Sequence, residues 1–260
     1  MRRSPAQDYR WIESGAGHPV VLLNGIFGIL EDWDAMLRSV DPQWRFLVPE
    51  IPLFAATVRE ASIAEIGRHV WRFVDAMQLG SVVLGGSSIG GQVAIELALQ
   101  DPDRVQGLIL TGASGIGEHR IGTISHRPST AYVRTQVANV LDRPELVSEE
   151  RIESIRRTLG TPAAILKALR FSRECRTGAI ASRLGDIRVP TLLVWGANDR
   201  ITPRDLAERF QGALADAELV IIPDAGHAPM LEQPAAFAAA TSSWLRRIGY
   251  GARIADARSA

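Results

Sequence analysis

The sequence predicts an α/β fold in which helices flank a mostly parallel central sheet. Its short apolar runs, rich in β-branched residues, are continuous rather than alternating, as in strands that are buried on both faces. These runs alternate with longer segments of helical periodicity, which is typical of a parallel sheet covered by helices. The length of 260 residues suits one large domain of this kind or two small ones.

Six apolar runs are predicted as strands, at residues 20–23, 46–48, 81–84, 107–110, 190–195 and 219–222. Helical patterns lie between several of these runs. The helices predicted from them lie at residues 63–77, 93–99, 205–210 and 235–248.

The alternation stops between about residues 114 and 184, where no strand-like run occurs. Three helical patterns follow one another there, at residues 130–141, 148–159 and 162–173. We interpret residues 116–184 as a helical lid inserted between two late strands of a core that comprises residues 1–115 and 185–248. Residues 249–260 are small and polar, and we predict that they form a disordered tail.

The composition narrows the possible partners. Lysine plus arginine equals aspartate plus glutamate, 29 against 29, so no net field attracts nucleic acid or an anionic membrane. Cys175 is the single cysteine, which excludes an intramolecular disulfide and fits a reducing compartment. No apolar run approaches the roughly 20 residues that span a bilayer, and no apolar stretch of a secretory signal follows the basic start. We therefore expect a cytoplasmic protein with a small-molecule substrate, and the oligomeric state stays open.

The most informative stretch follows the predicted strand at residues 81–84 and contains Gly86-x-Ser88-x-Gly90. This spacing is the nucleophile-elbow pattern, in which a sharp turn from strand to helix holds a serine in a strained backbone conformation. Side chains two positions before and after the serine would collide, which explains the glycines. The alternative is an ordinary strand–turn–helix junction. We predict Ser88 as the nucleophile, because its neighbour Ser87 does not occupy the position between the glycines.

A serine nucleophile needs a base, and the base needs an orienting acid. His227 follows the last predicted strand, and Asp199 follows the strand before it. Both residues thus lie in loops at the carboxyl ends of strands, where such sheets bind ligands. The alternatives are a turn aspartate, a surface histidine, or Asp224 as the orienting acid. Because the order Ser, Asp, His is that of the elbow motif, we predict Ser88, Asp199 and His227 as a catalytic triad.

An oxyanion formed during acyl transfer needs two backbone donors. We predict the N–H of Ile89, directly after the nucleophile, as one donor. The second predicted donor is the N–H of Ile26, in the glycine-containing loop at residues 24–28. The alternative for this loop is a plain turn.

With these residues in place, the chain resembles the α/β-hydrolase superfamily from about residue 10 to residue 247. Within it, the chain looks most like bacterial esterases and meta-cleavage-product hydrolases, which break a carbon–carbon bond. The segments that carry this resemblance lie at residues 110–115, 132–150, 191–199 and 226–234. The resemblance implies a serine hydrolase with an elbow, a triad and a helical lid.

Three positions depart from the pattern of that family. Asn24 stands where relatives usually carry a histidine that props the oxyanion loop, and residues 50–54 replace a usual Asp-x-x-Gly-x-Gly segment. Ser87 stands where carbon–carbon bond hydrolases typically have asparagine, which weakens the case for that reaction. Epoxide hydrolases and haloalkane dehalogenases of this fold have aspartate in place of Ser88, so their chemistry is not expected.

Other candidate residues lie in the predicted lid. Arg170, Arg173 and Arg176 surround Cys175, and they either clamp a substrate carboxylate or form a solvated helix face. Cys175 itself is predicted to be a packing residue. The sequence contains no phosphate-binding loop, dinucleotide fingerprint or metal-ligand spacing, which predicts a reaction without a cofactor or metal.

The sequence thus predicts a serine hydrolase that cleaves an ester, thioester or activated carbonyl of a small, largely apolar molecule through an acyl-enzyme. Two alternatives stay open. The same triad could break the carbon–carbon bond of a meta-cleavage-product-like diketone acid, which would need a cationic group in the lid. The fold could also serve a ligand-binding protein without turnover.

Overall fold

The computed structural model describes residues 9–54, 61–117, 125 and 128–250. A seven-stranded sheet crosses the middle of this part of the chain, with strand order β1-β3-β2-β4-β5-β6-β7. The strands are β1 Trp11–Ser14, β2 His18–Leu23, β3 Trp44–Pro49, β4 Val82–Ser87, β5 Val105–Thr111, β6 Thr191–Gly196 and β7 Ala217–Ile222. Each of the six predicted strands overlaps one strand of this sheet, and the predicted α/β class is confirmed.

The strand that the sequence did not reveal is β1, which pairs antiparallel with β3 at the sheet edge. It has four residues, and Trp11 is its buried member. A run this short carries too few apolar positions to be recognised as a strand, and β3 supplies its hydrogen bonds.

Helices cover both faces of the sheet, as the continuous apolar runs predicted. In β2, Val21 and Leu23 pack into one core cluster, while Val20 and Leu22 pack into the other. Both faces of the strand are therefore buried, which explains why the run at residues 20–23 is apolar at every position. The helices are α1 Asp34–Leu37, α2 Ile63–Ala76, α3 Ile89–Gln100, α4 Thr130–Val140, α5 Glu149–Thr158, α6 Pro162–Arg176, α7 Arg204–Ala213, α8 Pro229–Glu232 and α9 Pro234–Arg247.

The two faces carry different helices. The cluster that contains Leu23 also includes buried residues of α2, α3 and α7, whereas the cluster that contains Leu22 includes those of α1 and α9. The sheet is thus the middle layer of three. Within the described ranges, none of the helices is long and apolar enough to cross a bilayer.

Helices α4, α5 and α6 lie between β5 and β6 in the chain, where the sequence predicted an insertion. Each begins after a hydroxyl residue whose side chain accepts a backbone N–H of the first turn. These caps are Ser129, Ser148 and Thr161. Capping satisfies a donor that has no partner inside the helix, which explains why the three helices begin where they do. Residues 118–124, 126 and 127 of the predicted lid lie outside the described residues, and its boundaries stay a prediction.

The predicted tail at residues 249–260 begins too early. Tyr250 is buried, and its hydroxyl donates a hydrogen bond to the carbonyl of Pro19 (2.6 Å) and accepts one from the N–H of Val83 (3.3 Å). Gly249 and Tyr250 therefore belong to the folded part of the chain, because the buried ring of Tyr250 and its two hydrogen bonds hold this segment against the sheet. Residues 251–260 lie outside the described part of the chain.

Candidate active site

Ser88 joins β4 to α3 with a backbone conformation that is rare for a residue with a side chain. Its φ is 55° and its ψ is −118°. The N–H of Ser88 donates to the carbonyl of Thr111 (2.9 Å), while the carbonyl of Ser88 accepts from the N–H groups of Gln92 and Ser114 (both 3.2 Å). These three bonds hold the strained residue in place, so the turn is determined by its surroundings.

The glycines of the elbow are required by close backbone contacts. A Cβ atom on Gly86 would lie 2.7 Å from the carbonyl carbon of Gly90, and one on Gly90 would lie 2.5 Å from the carbonyl oxygen of Leu23. Backbone atoms cannot move aside as a flexible side chain can. The spacing of the motif therefore has the steric origin that the sequence predicted.

His227 and Asp199 are in direct contact. The Nδ1 atom of His227 lies 2.8 Å from Oδ2 of Asp199, and both side chains are buried. The other oxygen of Asp199, Oδ1, accepts from the N–H groups of Ile201 (2.8 Å) and Thr202 (2.9 Å). The carboxylate is thus held at both oxygens, and it can orient the imidazole ring in one tautomer.

Burial by itself disfavours the charged form of Asp199. The charge of His227 and the hydrogen bonds from His227 and Thr202 outweigh that effect, and together they hold the pKa of Asp199 below its usual range. The carboxyl group is therefore ionised at neutral pH. An ionised acceptor is what an orienting acid needs in order to stabilise an imidazolium.

Asp224, the rival acid, occupies a turn instead. Its φ is 51°, and its carbonyl oxygen accepts a hydrogen bond from Nε2 of Gln233 (3.0 Å). Aspartate is one of the residues that tolerate this left-handed conformation. The structure thus brings Asp199 to His227 and gives Asp224 a role in the loop.

Ser88 and His227 line the same cavity, whose volume is about 170 Å³. Ile26 and Ile89, the residues predicted to supply the oxyanion donors, line it as well. Most of the wall is apolar, and a large part of it comes from α4, α5 and the residues that follow them. The apolar residues of the wall are Ile26, Phe27, Ile89, Val133, Val137, Val140, Leu141, Ile155, Leu159, Ile201, Ala228 and Met230.

The loop that carries Ile26 is braced by Asn24. The Oδ1 atom of Asn24 accepts a hydrogen bond from Nε1 of Trp33 (2.6 Å), and a Cβ on Gly28 would lie 3.0 Å from the Cβ of Asn24. The N–H of Gly28 donates to the carbonyl of Gly25 (3.1 Å), which closes a tight turn around Ile26. Asn24 thus supports the loop as the histidine of relatives was expected to do.

Arg151 is a cavity residue that sequence reasoning missed. Its guanidinium contacts both oxygens of Asp32, and its Nη2 lies 3.0 Å from Oδ2. The pair is largely buried, with 18% of the Arg151 side chain and 5% of the Asp32 side chain exposed. Two residues 119 positions apart cannot be paired from local sequence, so the charge-neutral arrangement became visible only in the fold.

The arginines proposed from the sequence lie elsewhere. Arg170, Arg173 and Arg176 are exposed on α6, which agrees with a solvated helix face. Cys175 is buried on the same helix and contributes to the cavity wall. Burial raises the pKa of its thiol to about 11, so the thiol stays protonated and packs as a small apolar group. Across the described ranges, no three His, Cys, Asp or Glu side chains form a group that could hold a metal ion.

The fold and the elbow place this chain among hydrolases. It belongs to the alpha/beta hydrolase family, whose model matches residues 14–240. The chain is thus an enzyme of the hydrolase class.

Several known proteins are similar along nearly the whole chain. A pimeloyl-[acyl-carrier protein] methyl ester esterase of Nitrosomonas europaea is 28% identical over 242 residues, which is 86% of this chain and 94% of the relative. A 2-hydroxy-6-oxo-6-(2'-aminophenyl)hexa-2,4-dienoic acid hydrolase of Metapseudomonas resinovorans is 27% identical over 255 residues, covering 92% of this chain and 87% of the relative. An α/β-hydrolase enzyme from the metagenome of lagoon sediments at Mar Chica, Morocco, has a similar structure. Its TM-score is 0.76 at 27% identity, covering 94% of this chain and 97% of the other.

Proposed function

We propose that this protein hydrolyses an ester, thioester or similarly activated carbonyl of a small, largely apolar molecule, with Ser88, Asp199 and His227 as its catalytic triad. The observation that carries the proposal is the 2.8 Å contact between Asp199 and His227 beside a cavity that Ser88 enters from a strained elbow. A histidine oriented by a buried carboxylate and a serine at an elbow are the two parts that serine acylation needs.

In the first half of the reaction, Oγ of Ser88 attacks the carbonyl carbon while Nε2 of His227 takes its proton. Asp199 stabilises the imidazolium that forms. The tetrahedral oxyanion accepts hydrogen bonds from the N–H groups of Ile26 and Ile89. The carbon–oxygen (or carbon–sulfur) bond to the leaving group then breaks, and the leaving group takes the proton from His227.

In the second half, His227 removes a proton from water, and the resulting hydroxide attacks the acyl-serine. Collapse of the second tetrahedral intermediate returns the proton to Ser88 and releases the acid. Ile89 is the first residue of α3, so its N–H has no partner within the helix and is available for the oxyanion.

The insertion between β5 and β6 supports the proposed role as a lid. Val133, Val137 and Ile155 belong to it, and all three line the cavity beside Ser88. Apolar walls on this side of the site would bind the hydrocarbon part of a substrate and keep bulk water from the acyl-enzyme. We propose residues 116–184 as this lid and residues 1–115 and 185–248 as the core.

The charge balance of the cavity favours an uncharged substrate. Among the described residues that line the cavity, Arg151 is the single lysine or arginine, and Asp32 already neutralises its charge. A free carboxylate would compete with Asp32 for the guanidinium, which is unfavourable in a buried position. The relative from Nitrosomonas europaea, an esterase by name, agrees with an ester substrate.

Carbon–carbon bond hydrolysis is the second candidate, because several relatives are named for dienoic acid substrates. That reaction would use the same triad and would require a cation for the carboxylate. It becomes the better proposal if the protein fails on simple esters and turns over a dienoate whose binding breaks the Arg151–Asp32 pair.

The test is a pre-steady-state burst assay with p-nitrophenyl acetate and butyrate, comparing the wild type with Ser88→Ala. We expect a burst of p-nitrophenol in the wild type, and a loss of turnover in the variant of at least about a thousandfold. Ser87→Ala is the matched control, since Ser87 is a neighbouring buried serine that does not sit at the elbow position.

Each outcome separates the candidates. A burst that survives in Ser88→Ala, or vanishes in Ser87→Ala, would contradict the assignment of the nucleophile. A wild type without activity on esters that hydrolyses a dienoate would favour carbon–carbon bond cleavage. Tight binding of both compounds without turnover would point to a ligand-binding protein.

A further inference from the structure

The end of α4 lies between the two loops that carry Asp199 and His227. We call residues 140–143, which are the last residue of α4 and the three that follow it, the α4 junction. Its backbone and side chains make hydrogen bonds to both loops, and residues of the same helix line the cavity.

The first set of contacts joins the α4 junction to the His227 loop. The N–H of His227 donates to the carbonyl of Val140 (2.8 Å). Glu232, which is fully buried, bridges the same two segments with its carboxylate. Its Oε1 accepts from the N–H of Gly226 (2.8 Å), and its Oε2 accepts from the N–H groups of Asp142 (2.6 Å) and Arg143 (3.1 Å). A buried carboxylate with donors on both oxygens is a rigid connection, because leaving any of those groups unpaired is unfavourable.

The two segments also touch without space between them. A Cβ atom on Gly226 would lie 2.8 Å from both the amide nitrogen of Asp142 and the carbonyl oxygen of Val140. Any displacement of the α4 junction toward the site therefore meets the backbone next to His227. Close packing of this kind transmits a shift instead of absorbing it.

The second set of contacts joins the α4 junction to the Asp199 loop. Nδ2 of Asn198 donates to Oδ2 of Asp142 (2.7 Å), and Nη2 of Arg200 lies 3.2 Å from Oδ1 of Asp142. Asn198 and Arg200 flank Asp199 in the chain. One side chain of the junction thus holds the loop on both sides of the orienting acid.

Helix α4 also lines the cavity, so a bound substrate would contact it. Val133, Val137 and Val140 of α4 and Leu141 of the junction line its wall. A hydrocarbon group bound there would press on the element that holds both loops. Binding energy from a part of the substrate that does not react can in this way be used to orient the reacting groups.

We propose that the α4 junction positions the Asp199–His227 pair according to what α4 binds, with Asp142 and Glu232 as positioning residues. This inference rests on the proposed hydrolysis. Apolar substrate groups that contact α4 then raise kcat as well as improving binding. They do so because they hold the Asp199–His227 pair in the orientation in which His227 takes the proton of Ser88.

The test compares Asp142→Ala with the wild type on p-nitrophenyl esters from acetate to hexanoate. In the wild type, kcat should rise with chain length. In Asp142→Ala that rise should disappear, so that kcat falls about tenfold more on the hexanoate than on the acetate while the KM values for both esters change by less than about twofold. Asp142→Asn keeps one acceptor oxygen, and it should restore part of the rise.

Glu149→Ala is the matched control. Glu149 is an exposed acid of the same insertion that pairs with Arg134 and does not contact either catalytic loop, so kcat should keep its dependence on chain length. Asn198→Ala cuts the bond to Asp142 from the other side at an exposed position, and it should reproduce Asp142→Ala even where Asp142→Ala itself folds poorly.

Two results would overturn the inference. One is an equal fall of kcat on every ester in both Asp142→Ala and Asn198→Ala, and the other is a rise of KM at constant kcat in these two variants. Failure of the proposed hydrolysis gives a different result, since the wild type then has no burst with any ester. In that case the role of the α4 junction is tested by NMR, through the low-field proton resonance of the Asp199–His227 hydrogen bond. It should shift in Asn198→Ala and not in Glu149→Ala, and an unchanged resonance in both would contradict the junction.

Discussion

At the level of single atoms, Thr202 connects two residues of the proposed triad, Asp199 and His227. Its hydroxyl donates to Oδ2 of Asp199 (2.7 Å) and lies 3.1 Å from Nδ1 of His227, and its own N–H donates to Oδ1 of Asp199. The residue is fully buried. A hydroxyl in this position favours the ionised form of the carboxylate, so it contributes to the lowered pKa of Asp199.

We predict that Thr202→Val, which removes the hydroxyl at nearly constant volume, destabilises the protein in a pH-dependent way. The pKa of Asp199 is lower in the folded than in the unfolded protein, where it is about 4. Its ionisation therefore stabilises the fold at pH values above about 4, and that stabilisation is lost as the pH falls through the folded-state pKa. Thr202→Val should therefore lose about 1–2 kcal/mol in the free energy of unfolding at pH 7 and less at pH 3.

Urea unfolding at the two pH values measures this difference. Thr202→Ser keeps the donor, so the pH dependence of its stability should match that of the wild type. If Thr202→Val loses the same free energy of unfolding at both pH values, the loss comes from packing and not from the hydrogen bond to Asp199.

At the scale of elements, the elbow depends on how closely α3 approaches β2. The backbone of Gly90 passes so near the end of β2 that a Cβ would lie 2.5 Å from the carbonyl oxygen of Leu23 and 2.7 Å from that of Asn24. Asn24 begins the loop of Ile26. The same contact therefore determines the elbow and the entry to the proposed oxyanion hole.

We predict that Gly90→Ala destabilises the protein by about 2–4 kcal/mol and reduces kcat, because the backbone of α3 must move away from β2. Gly212→Ala is the matched control, since a Cβ at that exposed helical position meets nothing within 4 Å. It should increase stability by about 0.5–1 kcal/mol through the higher helix propensity of alanine. Thermal unfolding and p-nitrophenyl butyrate turnover measure both effects, and equal stability of the two variants would contradict the steric argument.

At the scale of the whole molecule, the described end of the chain closes onto the centre of the sheet. Tyr250 bonds to Pro19 of β2 and Val83 of β4 through its hydroxyl, and its carbonyl accepts from Nε1 of Trp44 (3.4 Å). Burial raises the pKa of the hydroxyl, which keeps it protonated as a donor. Residues more than 160 positions apart in sequence are thereby joined.

We predict that Tyr250→Phe lowers the free energy of unfolding by about 1–3 kcal/mol, because the carbonyl of Pro19 and the N–H of Val83 both lose a buried partner. Ser39→Ala removes an exposed hydroxyl that donates to the carbonyl of Ala35, and it should change stability by less than about 0.5 kcal/mol. Chemical denaturation measures both variants. A loss no larger than that of Ser39→Ala would show that the hydroxyl of Tyr250 contributes little to the stability of the fold.

The sequence by itself determined most of the elements and the candidate triad. Strands such as β2 are recognisable because both of their faces are buried, which leaves a continuous apolar run, and the elbow is recognisable because sterics demand glycine at Gly86 and Gly90. Both signals are local, since they depend on residues within a few positions. The contact of Asp199 with His227 followed from the rule that loops at the carboxyl ends of neighbouring parallel strands meet.

Only the tertiary structure decided the rest. The short edge strand β1 and the buried position of Tyr250 depend on partners that lie far away in the chain. The neutral Arg151–Asp32 pair and the bridge that Glu232 makes between the His227 loop and the α4 junction have the same character. Each of these two contacts joins residues whose local sequence is typical of an ordinary surface charge or a loop. The physical reason is that a charge or a carboxylate acquires its role from the donors around it, and those donors are brought together only when the chain folds.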